Sequence, residues 1–91
     1  MTALVAREVT IVNRRGLHAR AAARFVKLAG DFDAEILVSK DGAEVSGLSI
    51  MGLMMLAAAP GTQIELCATG NQAMEAVDAI AALVAAGFDE D

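Results

Sequence analysis

Two hydrophobic periods alternate along the chain and predict seven elements of secondary structure. Apolar residues recur at every second position in four segments, which indicates β-strands: 5–12, 34–39, 44–46 and 62–69. They recur at helical spacing in three others: 19–29, 49 to about 58, and 73 until Gly87 ends the pattern. Each strand has one apolar and one mixed face. We therefore expect an α+β fold, in the order β-α-β-β-α-β-α, in which three helices cover one face of a four-stranded antiparallel sheet.

Turn and capping residues mark the ends of these elements. Asp41-Gly42 predicts a tight hairpin between the second and third strands. Ser49 is suited to begin the second helix, and Pro60-Gly61 to close it. Asn71 is expected to cap the third helix, and the acidic tail Asp89–Asp91 is expected to be frayed.

Size and charge narrow the possible functions. The chain has 91 residues, which predicts a single domain over 1–91 with no room for a deep cavity beside its core. Its net charge of −5 argues against a general nucleic-acid binder. The distribution is uneven, because residues 1–40 hold all seven bases and four acids, whereas residues 41–91 hold eight acids and no base. We therefore expect any anion-binding site in the N-terminal part.

The sequence gives no indication of a disulfide, a metal site or a membrane span. Cys67 is the only cysteine, so an internal disulfide is excluded, and with His18 it does not make a zinc site. We expect no metal and no cofactor. The longest uncharged apolar run, Leu48–Ala59, is too short to span a bilayer. No targeting pattern is visible at the N-terminus, so a cytoplasmic location is expected.

His18 is the residue with the clearest candidate chemistry. A lone histidine is most often a surface residue without a task, but this one lies between a basic, glycine-containing loop and the start of the first helix. Imidazole can accept a phosphoryl group, and the positive end of a helix favours the neutral, nucleophilic ring. The phosphoryl oxygens would find donors in the side chain of Arg20 and in the backbone N–H groups of Ala19, Arg20 and Ala21.

Two motifs carry a family resemblance that covers nearly the whole chain. The segment Gly16-Leu17-His18-Ala19-Arg20-Ala21-Ala22-Ala23 resembles the active-site signature of the HPr family of histidine-containing phosphocarriers. The segment Ser49-Ile50-Met51-Gly52-Leu53-Met54-Met55-Leu56 resembles the second signature of that family. One departure is Ala21, where the family usually has proline. Alanine is a good helix former, so we expect the helix to be preserved.

The resemblance implies a fold, a reaction and partners. HPr-like proteins are open-faced β-sandwiches that receive a phosphoryl group from enzyme I and donate it to an enzyme IIA protein. They are covalent intermediates in a relay that begins with phosphoenolpyruvate, and not stand-alone enzymes. By position, His18 matches the histidine phosphorylated on Nδ1, and Arg20 the arginine beside it. Ser49 matches the serine that HPr kinase/phosphorylase modifies in some bacteria.

The same motifs indicate a branch of the family. Val45-Ser46-Gly47 and the run 54–59 resemble the nitrogen-related branch, often named NPr, which serves a regulatory relay. The alternative is an HPr of the sugar-uptake system. A monomer is the simplest expected state, with no nucleic-acid partner and no membrane insertion.

The methionine-rich second helix predicts a docking surface. One short helix on a sheet can bury one stripe, which Ile50, Leu53 and Met54 or Leu56 could fill. Met51 and Met55 then remain exposed, as methionines at adaptable binding surfaces often are. The residues expected to dock partners beside His18 are Arg24, Lys27, Ile50, Met51, Met54 and Met55.

Three other functions compete with the phosphocarrier hypothesis. An acyl carrier protein also holds its group on a serine at a helix start, but Ser49 lacks a preceding aspartate and the predicted strands do not suit that fold. An RNA-recognition sheet needs aromatic residues on its strands, and this chain has none there. A non-phosphorylated interaction module that docks through the Met-rich helix remains open.

Overall fold

The computed structural model describes residues 4–90, which form one sheet covered by helices. The strands are β1 (Leu4–Thr10), β2 (Glu35–Lys40), β3 (Ala43–Ser46) and β4 (Gln63–Thr69). The helices are α1 (Ala19–Ala29), α2 (Ile50–Met55) and α3 (Ala73–Ala85), followed by a 3₁₀ turn at Gly87–Asp89. The predicted fold class and element order are confirmed. None of the helices in this part of the chain is long and apolar enough to cross a membrane.

The sheet is antiparallel throughout, with the strand order β1-β4-β2-β3. In the central strands the period-two pattern faces the helices, and the core there is made by Ile36, Val38, Ile64, Leu66 and Ala68, all buried. The helices cover the edge strand β1 less completely, and each of its residues is exposed or half-buried. On its helix-facing side Arg7 lies between Val5 and Val9, and its guanidinium donates to Asp78 of α3 at 2.7 Å.

The predicted hairpin is present. Lys40 pairs with Ala43, which leaves Asp41 and Gly42 as a two-residue turn between β2 and β3. Both residues have left-handed backbone angles, with φ of 51° and 85°. This is the geometry that joins twisted strands most directly, and Asp-Gly favours it because both residues tolerate positive φ.

The second helix is shorter than predicted, because it ends at Met55 and not near Ala58. The N–H groups of Leu56 and Ala57 donate three residues back, and Ala57 then takes a left-handed φ of 53°. Alanine favours a helix intrinsically, but the carbonyl of Ala58 is held elsewhere: it accepts a hydrogen bond from Leu17 at 3.0 Å. A tertiary contact thus overrides local propensity.

The start of the third helix also differs from prediction. Asn71 does not cap it; the N-cap position is Gln72, which makes no side-chain capping bond. The Asn71 amide donates instead to Asp33 Oδ2 at 2.8 Å. The backbone N–H of Gln72 and the side chain of Gln72 both bond to the backbone of Asp33. These bonds join the turn before α3 to the loop before β2.

The prediction of a frayed tail is wrong for Asp89 and Glu90. Gly87, Phe88 and Asp89 all have left-handed backbone angles, with φ between 57° and 64°. The conformation is costly for Phe88 and Asp89. It is stabilised by the Phe88 side chain, which is fully buried in the core, and by contacts that Glu90 makes with the loop before α1. Asp91 lies outside the described residues.

The loop before α1 is held against the segment after α2 at one point. Gly16 has a left-handed φ of 64°, and a Cβ built there would clash with the Ala58 carbonyl oxygen and lie 3.2 Å from the Cα of Ala59. Only glycine permits this approach. It brings the N–H of Leu17 to the Ala58 carbonyl and fixes the direction in which the chain enters α1.

We expect Gly16→Ala to destabilise the protein more than a glycine substitution at an open turn. Gly42→Ala is the matched control, because Gly42 also has positive φ but has nothing within 4 Å of its added Cβ. The control should lose about 1–2 kcal/mol for the left-handed alanine, and Gly16→Ala a further 1–3 kcal/mol for overpacking. Urea unfolding measures both. Equal losses would contradict the close approach at Gly16.

Candidate functional site

His18 occupies the N-cap position of the first helix. Its backbone is extended, with φ −75° and ψ 178°, and its carbonyl accepts the first helical hydrogen bond, from the N–H of Ala22 at 2.9 Å. Leu17 beside it is buried in the core, which anchors the loop. The imidazole is 17% exposed, so it is more sheltered than a freely solvated surface histidine.

The first turn of α1 presents backbone donors next to the histidine. Among the described residues, no backbone carbonyl accepts a hydrogen bond from the N–H of Ala19, Arg20 or Ala21. Ala19 and Arg20 are exposed, whereas Ala21 is fully buried. An anion at the surface would therefore reach the first two groups more directly than the third. The alanine that replaces the usual proline leaves the helix intact.

Four arginines surround an open cleft at this end of the molecule. The cleft has a volume of about 330 Å³ and is lined by Arg14, Arg15, Arg20, Arg24, Asp89 and Glu90. Arg24 donates to the Phe88 carbonyl. Within residues 4–90, the other three guanidinium groups form no ion pair. Arg20, which the sequence singled out, thus lines a cationic cleft together with two arginines of the preceding loop.

Sequence reasoning missed Glu90, which contacts His18 directly. One carboxylate oxygen, Oε2, is bonded to Nε2 of His18, and the other accepts from the Asn13 amide at 2.9 Å. The Asn13 amide also donates to the Gly16 carbonyl at 2.8 Å, so it bridges the loop and the tail. No local pattern could reveal this cluster, because Glu90 is separated from His18 by 72 positions and from Asn13 by 77.

The cluster lowers the pKa of the Glu90 carboxyl. The hydrogen bond from Asn13 is the largest cause, and the hydrogen bond and charge of His18 and the charge of Arg24 act in the same direction against the opposing effect of burial. Because the pKa of the Glu90 carboxyl is lowered in the folded state, the ionised carboxylate stabilises the fold at pH values above the ordinary pKa of glutamate. That contribution is lost as the pH falls through the lowered value.

Ser49 begins the second helix, as predicted. Its Oγ accepts a hydrogen bond from the N–H of Gly52 at 2.9 Å, and its side chain is half-buried. Val45 and Ser49 leave little space above Gly52, where an added Cβ would lie 3.0 Å from each. The serine is therefore a structural cap, and its hydroxyl sits at a helix start where a negative charge is tolerated.

Five exposed apolar residues lie within α2 or shortly before it, and we term them the methionine patch: Leu48, Ile50, Met51, Met54 and Met55. Met51 and Met55 are 72% and 79% exposed, in line with the prediction. The buried stripe differs, because Leu53 and Leu56 fill it while Ile50 and Met54 are 40% and 42% exposed. The helix packs against α1, on which Arg24 and Lys27 are exposed.

A second, larger depression lies on the uncovered face of the sheet. It has a volume of about 640 Å³, and four of its lining residues are acidic: Glu8, Asp41, Glu44 and Glu65. Glu8 lies directly opposite Glu65 in the sheet. This charge repels anions, so the arginine cleft is the better candidate for a phosphoryl site. No group of three metal-ligating side chains occurs within the described residues.

Comparison with known proteins agrees with this geometry. Residues 5–86 match a family model described as the PTS HPr component phosphorylation site. Phosphocarrier protein HPr of Cupriavidus necator is 45% identical over 96% of this chain and 98% of its own length. Phosphocarrier protein NPr of Escherichia coli is 47% identical over the same shares of each chain.

The fold is matched by solved structures as well. The crystal structure of HPr-C-His from Thermoanaerobacter tengcongensis has a TM-score of 0.91 at 39% identity, and the match covers 96% of this chain and 98% of that one. The family model spans most of the chain, and the relatives match nearly end to end. The chain therefore belongs to the HPr family of phosphocarrier proteins of the phosphotransferase system.

Proposed function

We propose that this protein accepts a phosphoryl group from enzyme I on Nδ1 of His18 and donates it to an enzyme IIA protein. The observation that supports the proposal is the position of His18, at the open start of α1 and beside the arginine cleft. We also infer the cytoplasm as its location and a monomer as its working state.

The chemistry needs a nucleophile, a set of donors and access. The lone pair of Nδ1 attacks phosphorus, and the bond from phosphorus to the donor group of enzyme I breaks as its electron pair leaves with that group. Negative charge on the phosphoryl oxygens is then stabilised by the Arg20 guanidinium and the N–H groups of Ala19 and Arg20. Because Arg20 lines an open cleft and not a closed pocket, the group remains accessible to the next protein.

The branch of the relay is a finer inference. Relatives named HPr and NPr match this chain at similar identity, so the names alone do not separate the sugar and nitrogen relays. Val45-Ser46-Gly47 and the methionine- and alanine-rich run 54–59 favour the nitrogen-related relay. Sugar uptake is the alternative.

The first test is phosphoryl transfer from phosphoenolpyruvate. Wild type and His18→Ala are incubated with magnesium and either nitrogen-branch or sugar-branch enzyme I, and intact mass is read at neutral pH and after mild acid. We expect one acid-labile phosphoryl group on wild type and none on His18→Ala, because a phosphohistidine forms only where the imidazole is present. The faster donor identifies the branch. No added mass with either active donor would support a non-phosphorylated interaction module instead.

We propose that the methionine patch docks enzyme I and enzyme IIA, with Arg24 and Lys27 at its border. Exposed apolar side chains on a helix that packs beside α1 support this assignment. Met51→Glu should lower kcat/KM for phosphoryl transfer from enzyme I by about tenfold or more, mainly through KM, since it places a charge in an apolar interface. Met74→Glu is the matched control, because Met74 is 54% exposed on α3. Equal kinetics of the two variants would refute docking through Met51.

Ser49 is the candidate for regulatory phosphorylation, by an HPr kinase/phosphorylase where the host has one. A phosphate there would add about two negative charges beside the methionine patch. With ATP and host cell extract, we expect wild type and Ser46→Ala to gain an acid-stable phosphoryl group and Ser49→Ala to gain none. Ser49→Ala also loses the cap, at a cost of about 1 kcal/mol. A mass gain in Ser49→Ala would place the modification elsewhere.

A further inference from the structure

We propose that Glu90 is a positioning residue for phosphoryl transfer: it holds the proton of His18 on Nε2, so that Nδ1 is the free nucleophile. The inference rests on the proposed function, because it takes His18 as the phosphoryl acceptor. It assigns a task to the C-terminal segment that neither motif of the family resemblance includes.

The geometry points to one tautomer. Oε2 of Glu90 is bonded to Nε2 of His18, and among the described residues Nδ1 has no hydrogen-bond partner. An ionised carboxylate is only an acceptor, so the neutral imidazole must carry its proton on Nε2 to make this bond. The lone pair then lies on Nδ1, which the bond to Glu90 leaves free. Carboxylates orient metal-binding histidines in the same way.

The Glu90 carboxylate has a second hydrogen-bond partner, and the segment that carries it is anchored. Oε1 accepts from Asn13, whose amide also donates to the Gly16 carbonyl. Asn13 Oδ1 is buried, yet among the described residues it accepts no hydrogen bond. The two hydrogen bonds that the Asn13 NH₂ group donates therefore set the orientation of the amide and leave its oxygen without a donor. Phe88 is fully buried two residues earlier, and Arg24 binds its carbonyl. The side chain of Glu90 is only 15% exposed.

The same contact balances the charge that the reaction creates. When Nδ1 bonds to phosphorus and the proton stays on Nε2, the ring gains a positive charge. The Glu90 carboxylate lies against that charge and stabilises it, and it also stabilises the transition state in which the charge develops. When the phosphoryl group moves on, the electron pair of the nitrogen–phosphorus bond returns to Nδ1. No proton has to move in either direction.

The first experiment observes the ring of the unphosphorylated full chain by ¹H–¹⁵N NMR. We expect wild type to show a downfield proton resonance coupled to Nε2 and an unprotonated Nδ1. Glu90→Ala should lose that resonance to solvent exchange. Glu75→Gln is the control, because this exposed acid on α3 lies outside the arginine cleft and makes no bond to His18, and it should keep the resonance. A proton on Nδ1 in wild type, or an unchanged resonance in Glu90→Ala, would overturn the proposal.

The second experiment measures transfer from phosphorylated enzyme I. Glu90→Gln keeps the shape of the side chain and removes its charge. We expect kcat to fall about tenfold while KM changes less than about twofold, because the substituted group acts on the reacting ring and not on the docking surface. Glu75→Gln, which lies outside the arginine cleft, should match wild type. A kcat for Glu90→Gln within about twofold of wild type would reject the positioning role.

The two experiments separate this inference from the proposed function. The NMR measurement needs no phosphoryl transfer, so it can succeed even if wild type accepts no phosphoryl group and the carrier role fails. If wild type is phosphorylated on His18 and the Glu90 variants behave as wild type in both measurements, the carrier role stands and only the role of Glu90 fails. Circular dichroism of each variant confirms that it is folded.

Discussion

The close approach of two backbone segments at Gly16 and Ala58 is the constraint on which the site depends. No side chain fits between them, and the hydrogen bond from Leu17 to Ala58 closes the contact. This bond ends α2 early, places Leu17 in the core and sets His18 at the first turn of α1. The histidine loop and the chain after the methionine patch are thus one connected structure. A displacement of either would alter the distance between the methionine patch and His18.

The site is built where three distant segments meet, and not in a pocket. The loop before α1 supplies the histidine and two arginines, α1 supplies donors and further arginines, and the C-terminal segment supplies a carboxylate. A domain of this size has little interior to spare. A charged cleft at the surface needs no interior space, because a phosphoryl group there would be held by hydrogen-bond donors and not enclosed. The buried Phe88 gives the C-terminal segment the fixed position that a carboxylate on a free tail would lack.

The spacing of apolar residues and the identity of the turn residues predicted the sheet, the Asp41-Gly42 hairpin and the whole of α1. Each of these features depends on residues that are close together in the sequence. The length of α2 could not be predicted, since the bond that ends it comes from Leu17, about forty residues away. The role of Glu90 could not be predicted either, because its contact with His18 is also long-range. Its neighbours favour a solvated acidic tail, and only the burial of Phe88 against the core reverses that preference. The contacts that the local pattern missed are therefore long-range, and they lie at the site.

The acidic depression on the uncovered sheet face has a consequence for how partners approach. It shares no lining residue with the arginine cleft, so the molecule has a positive region around His18 and a negative region on the bare sheet. Such a charge distribution is an electric dipole. In the field of a negatively charged partner, a dipole experiences a torque that turns its positive end forward before contact. Rotational search, which normally slows the docking of two specific patches, is thereby shortened, and high ionic strength would abolish the advantage.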